Sequence, residues 1–109
     1  MAIHRIIKRN MTNTANTILA PISDNIVTQL MSIEVACHPH PWTEKTFRSC
    51  IGGRYFGEYL TVNSTIVGFY VGEYVAGEAT LMDICVAPSE QGNGYGKVLL
   101  LAFIQQCKN

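Results

Sequence analysis

A chain of 109 residues with 48 % hydrophobic residues can build one hydrophobic core but not two independent ones. Its formal net charge is zero, which excludes a general electrostatic attraction to nucleic acid, so any anion site must be local. The longest apolar run, residues 98–104, is much shorter than the roughly 20 residues of a membrane-spanning helix. The four cysteines show no CxxC spacing and follow no signal-peptide pattern. We therefore expect a cytoplasmic protein with reduced thiols, and a disulfide framework or a zinc site is the weaker alternative.

The first fifteen residues are polar and basic without a convincing apolar period. We expect them to form a disordered basic extension in front of one domain, residues 16–109. A mitochondrial presequence is the open alternative, because arginine and lysine occur in this segment without any acidic residue. The domain then begins with a short apolar strand, Thr17 to Ala20. Pro21 ends this strand because proline has no backbone N–H to donate to a sheet.

Two helices are predicted next. Apolar residues at i, i+4 and i+7 predict the first from about Asp24 to Cys37. The side chain of Ser23 or Asp24 is expected to accept a backbone N–H in its first turn. The prolines of residues 38–41 stop this helix, since proline disfavours helical geometry in the preceding residue. Thr43 is typical of an N-cap for a second, shorter helix, Glu44 to Cys50, which a glycine pair ends.

From Tyr55 onward the chain is rich in Val, Ile, Thr, Tyr and Phe, with short polar or glycine-containing joints. This composition is typical of antiparallel strands. We predict strands Tyr55 to Val62, Ile66 to Val75 and Glu78 to Val86, with turns at 63–64 and 76–77. After a glycine-rich loop, a broad apolar face predicts a helix from Gly96 to Cys107. The expected fold is mixed α/β: a strand, two helices, three antiparallel strands and a helix.

The segment that joins the last strand to the last helix carries the most chemical information: MDICVAPSEQGNGYGK, residues 82–97. A glycine-rich turn at a helix start exposes unpaired N–H groups at the positive end of the helix dipole. The pattern predicts a phosphate or pyrophosphate site, and an ordinary Asn-Gly turn is the plain alternative. A Walker loop is excluded because valine follows Lys97, and a dinucleotide fingerprint would need a downstream acidic residue.

This loop resembles the acetyl-CoA loop of the GNAT family of N-acetyltransferases, Q/R-x-x-G-x-G/A, which corresponds here to QGNGYG at residues 91–96. The apolar strand before it, residues 84–88, ends in proline and has the family form as well. Residues 78–81 and HPWTEKTF at 40–47 are similar to the ribosomal-protein-alanine branch of the family (RimI type). The resemblance extends from about Asn16 to the C-terminus. It implies a GNAT acyl-CoA N-acyltransferase fold that lacks its C-terminal strands and helix.

The resemblance implies that acetyl-CoA is the co-substrate and that no metal takes part. In the family, strand backbone pairs with the pantetheine arm, and one N–H polarises the thioester carbonyl; the corresponding residues are Ile84, Cys85 and Val86. The loop binds the pyrophosphate, and the residues carried over are Gln91, Gly92, Asn93, Gly94, Tyr95, Gly96 and Lys97. The general base and the tyrosine acid are expected beyond residue 109. We therefore expect a truncated domain that is inactive alone.

The implied acceptor is the N-terminal alanine of a small-subunit ribosomal protein, and we expect neither nucleic acid nor a membrane as a direct partner. Acetylation of another amine or of lysine, or a non-catalytic CoA-binding role, stays open. Trp42 and Phe47 either wall a peptide site, as their RimI-like context implies, or pack in the core.

Four other side chains have plainer explanations than chemistry. His38 and His40 flank a proline with no third ligand in view, so we expect them to face solvent. Asp83 lies within an apolar strand, where a buried carboxylate needs a partner or a raised pKa. We expect exposure at a sheet edge instead. Cys85 is expected to be a small core residue, because direct acetyl transfer uses no cysteine nucleophile.

Overall fold

The computed structural model describes residues 16–108, so the predicted extension of residues 1–15 lies outside the described residues. Four strands form one antiparallel sheet in the order β1-β2-β3-β4. They are β1 (Thr17–Pro21), β2 (Tyr55–Val62), β3 (Thr65–Val75) and β4 (Glu78–Val86). The α-helices of this part of the chain are α1 (Val27–Cys37), α2 (Glu44–Arg48) and α3 (Tyr95–Cys107). The predicted mixed α/β fold and its order of elements are confirmed.

Helix α1 starts later than the sequence predicted. A 3-10 turn, Asp24–Ile26, precedes it, and within the described part of the chain no side chain caps the turn or the helix. The predicted cap by Ser23 or Asp24 is wrong because both side chains have other partners. The Ser23 hydroxyl donates to the Asn25 side chain, and Asp24 Oδ1 accepts from Arg48 Nη1 at 3.4 Å.

Helix α2 begins as predicted and ends early. Thr43 Oγ1 accepts the Thr46 N–H at 3.1 Å, which confirms the N-cap. The helix stops at Arg48 instead of Cys50. At this end the Ser49 hydroxyl donates to the Thr46 carbonyl oxygen at 2.5 Å, a side-chain bond that competes with continued helix.

The helices cover both faces of the sheet. Helix α3 packs on one face, where Leu60, Tyr70 and Leu99 belong to the same buried cluster. Helices α1 and α2 pack on the other, around Leu30 and Phe47. The inner strand β3 is therefore enclosed on both sides, which is why six consecutive residues, 67–72, are buried.

Strand β4 lies at the end of the four-stranded sheet and pairs with β3. A register shift opposite Val71 and Gly72 makes Met82 an extra residue of β4, a β-bulge. Side chains alternate between the two faces of a regular strand, so a one-residue insertion changes which face the following residues occupy. Leu81 therefore packs toward α3, whereas Cys85, four residues later, packs toward α1.

Candidate functional site

A groove of about 510 Å³ lies between the end of β4 and the start of α3. Its lining residues are Cys37, His38, Ile84, Val86, Gln91, Gly92, Gly94, Tyr95 and Gly96. Seven of the ten residues that the sequence predicted to bind the cofactor are among them. A second cavity of about 450 Å³, near Ile22 and Gly52, contains none of the predicted site residues.

The groove exposes backbone groups of β4. The Ala87 N–H donates to the Val67 carbonyl oxygen at 2.8 Å, on the side of β3. Because backbone groups of an antiparallel strand alternate between its two edges, those of Ile84 and Val86 point to the opposite, open edge. The Val86 carbonyl oxygen agrees with this direction. It accepts from the Cys37 thiol at 3.2 Å and from the Gln91 side chain at 3.0 Å.

The loop after β4 presents the start of α3 to the groove. Gly94 is the N-cap of α3 and has a left-handed φ of 84°, a conformation that favours glycine. Among residues 16–108 no side chain caps this helix, so the N–H groups of its first turn have no partner within it. Asn93 Nδ2 donates to the Glu90 carbonyl oxygen at 3.0 Å, which holds the loop together. An open strand edge and an open helix N-terminus thus meet in one groove.

Three predicted cofactor residues do not line the groove: Cys85, Asn93 and Lys97. The Cys85 side chain packs toward α1, and Lys97 is exposed on α3. Conversely, Cys37 and His38 line the groove and were missed. They are the last residue and the C-cap of α1, which reaches β4 only through tertiary packing, and no local sequence pattern marks them.

The sequence model of the acetyltransferase (GNAT) family matches residues 27–109. The chain belongs to this family. This GNAT chain is 42 % identical over 74 residues to the [ribosomal protein bS18]-alanine N-acetyltransferase of Escherichia coli K12, an alignment that covers 68 % of the chain and 50 % of that enzyme. The chain thus spans about half the length of the curated relatives it matches.

Solved structures agree with this family. The ribosomal-protein-S18-alanine N-acetyltransferase from Escherichia coli superposes with a TM-score of 0.79 at 34 % identity, over 84 % of this GNAT chain and 59 % of that one. The PaiA N-acetyltransferase of Thermoplasma acidophilum, solved with coenzyme A, has a TM-score of 0.71 at 14 % identity, over 85 % and 72 % of the two chains, and shows the fold alone. The predicted resemblance to the ribosomal-protein-alanine branch of the GNAT family is confirmed.

Helix length and hydropathy bear on membrane insertion. Over residues 16–108, none of the GNAT chain's helices is both long enough and apolar enough to span a bilayer.

Next to the groove of this GNAT domain, polar side chains of α1 and β4 meet. His38 Nε2 lies 2.8 Å from Asp83 Oδ1 and 3.1 Å from Cys85 Sγ. Asp83 is only 7 % exposed, so the prediction that it is exposed at a sheet edge is wrong. The Met82 bulge comes directly before Asp83, and the Asp83 side chain faces the end of α1. The prediction that His38 faces solvent is only partly right. Its side chain is 36 % exposed, but its ring nitrogen bonds to the buried carboxylate of Asp83. The predictions of a buried Cys85 and an exposed His40 are confirmed.

Glu34 of α1 completes this cluster. Burial and the adjacent Asp83 raise the pKa of Glu34 to about 7, against the effect of the Trp42 N–H, which donates to Glu34 Oε2 at 2.9 Å. Burial and the charge of Asp83 also raise the pKa of the Cys85 thiol. With these groups alone, Cys85 is a protonated thiol and a poor nucleophile.

The two aromatic residues predicted to wall a peptide site have different surroundings. Phe47 is 0 % exposed, and its ring centroid lies 5.6 Å from that of Trp42 and 5.3 Å from that of Phe69. This burial favours the packing alternative for Phe47. Trp42 is partly exposed. The peptide site stays a prediction, and Trp42 is its accessible member.

Proposed function

We propose that this GNAT domain binds acetyl-CoA in the groove between β4 and α3 and serves transfer of the acetyl group to a protein N-terminus. The acceptor in this proposal is the N-terminal alanine of a small-subunit ribosomal protein. The observation that carries the proposal is the meeting of an open strand edge with a glycine-rich helix start in one groove. The Escherichia coli relative, an alanine N-acetyltransferase of ribosomal protein bS18, supports the choice of acceptor.

In this proposal the pantetheine arm lies along the open edge of β4. Backbone groups of Ile84 and the N–H of Val86 pair with it as a further strand would, and one N–H donates to the thioester carbonyl oxygen. The diphosphate accepts from the N–H groups at the start of α3, where Gly94 and Gly96 leave the backbone accessible. A neutral amine then attacks the thioester carbon, a C–N bond forms, the C–S bond breaks, and the proton that the amine loses balances the one that the CoA thiolate takes up.

The same proposal assigns the protein to the cytoplasm, without nucleic acid or a membrane as partner. The four cysteines, at positions 37, 50, 85 and 107, are all free thiols. Free thiols fit a reducing compartment. The formal net charge of zero gives no electrostatic reason for binding nucleic acid.

Two measurements test the proposal in order. Calorimetric titration of the protein with coenzyme A should show one site, and absence of binding would overturn the groove assignment. Mass spectrometry on the full-length protein, with the general base and acid that the resemblance places beyond residue 109, should then detect acetylation of a peptide that begins with alanine and contains an internal lysine. The matched control is the same peptide with its N-terminus blocked. Acetylation of the blocked peptide would favour a lysine acetyltransferase, and binding without any transfer would favour a non-catalytic role.

A further inference from the structure

Two elements bring four metal-ligating side chains together beside the groove. Glu34 lies in the last turn of α1 and His38 is the C-cap of that helix, whereas Asp83 and Cys85 are two residues apart on β4 and lie on one strand face. One ligand atom of each residue lies within 4.8 Å of those of the other three. Their donor set is mixed: two carboxylates, an imidazole and a thiol.

The separations between these ligand atoms resemble the edges of a small tetrahedron. His38 Nε2 lies 2.8 Å from Asp83 Oδ1, 3.1 Å from Cys85 Sγ and 3.8 Å from Glu34 Oε1. Cys85 Sγ lies 3.4 Å from Asp83 Oδ1 and 3.5 Å from Glu34 Oε1. Tetrahedral zinc with bonds of about 2.0–2.3 Å requires roughly 3.3–3.6 Å between neighbouring ligands. Five of the six separations lie within about half an ångström of these values, and the sixth, between the Glu34 and Asp83 oxygens, is no more than 4.8 Å.

A second observation comes from the other oxygen of the same aspartate. Asp83 Oδ2 is buried and has no hydrogen-bond partner among residues 16–108, and its residue is only 7 % exposed. A buried carboxylate oxygen without a partner is costly, because it has lost water and gained nothing in return. A cation bound beside Asp83 would offset this loss.

The surroundings support the ligands in the required orientation. The Trp42 N–H holds Glu34 Oε2, so that Oε1 is the oxygen facing the cluster, as an outer partner orients a metal ligand. Glu34 and Cys85 are each 2 % exposed, whereas the His38 ring retains 36 % exposure. An ion would reach the site past His38.

We propose that Glu34, His38, Asp83 and Cys85 form a zinc site that ties the end of α1 to β4. Mixed sulfur, nitrogen and oxygen donors in a tetrahedron favour zinc among common divalent ions. With four protein ligands the site is structural and closed, and it steadies the wall of the groove formed by α1. Binding converts the Cys85 thiol to a thiolate and releases its proton to solvent.

No metal was expected from the sequence, because the histidines had no third ligand in view. The missing ligands lie on β4, 45 residues after His38 in the case of Asp83. The inference does not depend on the proposed acetyl transfer, because zinc binding is measured in the absence of coenzyme A.

The test is titration of the chelator-treated protein with zinc, followed by calorimetry, and with cobalt, followed by absorbance. We expect one ion per chain, and cobalt should give a thiolate charge-transfer band together with the intense visible bands of tetrahedral coordination. His38→Ala and Cys85→Ala should each weaken zinc binding by at least roughly 10- to 100-fold. That is the loss caused by removing a group that only hydrogen-bonds to a metal ligand, and a ligand itself should matter at least as much. His40→Ala and Cys50→Ser are matched controls outside the cluster and should bind zinc as the wild type does.

The cobalt spectrum of the wild type keeps the test independent of how well the variants fold. A chain that takes up no zinc at this stoichiometry would overturn the proposal, as would cobalt bound without a thiolate band. Equal zinc affinity of His38→Ala and wild type would overturn it as well. The four groups would then be a proton-sharing cluster without a metal.

Discussion

Replacing Gly94 with valine tests whether the loop before α3 binds the diphosphate of the cofactor. Gly94 has a φ of +84°, and within the described residues no atom beyond those of its chain neighbours lies within 4 Å of the Cβ that a side chain would add. The new side chain would therefore occupy open space at a residue that lines the groove. Gly77 is a matched control: its φ is +83°, its added Cβ also meets nothing within 4 Å, and it lies in the turn at the opposite end of β4.

Backbone strain should destabilise both variants alike, by about 1–2 kcal/mol for a side chain in the left-handed region. Only the valine at Gly94 should also keep a phosphate away from the first-turn N–H groups of α3. A hydrogen bond to a charged group contributes about 1.5–3 kcal/mol. Loss of one such bond should weaken coenzyme A binding by about 10- to 150-fold, and loss of several should abolish it.

Calorimetric titration with coenzyme A measures the affinities, and thermal unfolding measures the strain. Gly77→Val should bind coenzyme A as the wild type does, although it unfolds at a lower temperature. Gly94→Val should lose affinity by the calculated factor. If both variants bind coenzyme A equally well, the assignment of the diphosphate to this loop is refuted.

Three further predictions concern stability, measured by urea unfolding. Gly68→Ala should destabilise the protein by about 1–3 kcal/mol, because the added Cβ would overlap the Cys85 carbonyl oxygen. Gly96→Ala is the control and should not destabilise it, because its nearest contact would be the Val86 side chain at 3.8 Å. Phe47→Ala should lower the free energy of unfolding by about 3–5 kcal/mol because its ring is fully buried. A decrease below about 1 kcal/mol would contradict a core role for Phe47. In metal-free protein, Glu34 should make the free energy of unfolding fall as pH rises from about 4.5 to about 7, since the folded chain retains a proton that the unfolded chain releases. If Glu34→Gln shows the same dependence of stability on pH, the raised pKa is contradicted.

Local chemistry determined most of the element boundaries. The strands at 55–62 and 78–86 match the prediction, and the third agrees to within one residue, because their composition and their turn residues act over a few positions. The glycine-rich loop was recognisable for the same reason. The backbone freedom that a phosphate-binding helix start needs is a property of adjacent residues in the chain.

Errors occurred where a local pattern competed with a distant partner. The predicted cap of α1 failed because Asp24 bonds to Arg48, 24 residues away. Phe47 had two open explanations, and burial against Phe69 favours packing over a peptide contact. In both cases the deciding atom belongs to another element.

The amino-acid sequence by itself therefore determined the family, the α/β order and the loop at the start of α3, since each depends on neighbours along the chain. Only the tertiary structure decided that Asp83 points inward and that Glu34 and His38 meet it. A one-residue bulge at Met82 coincides with the change of face, and the packing of α1 against β4 supplies the partners. Periodicity along a single strand carries no information about either.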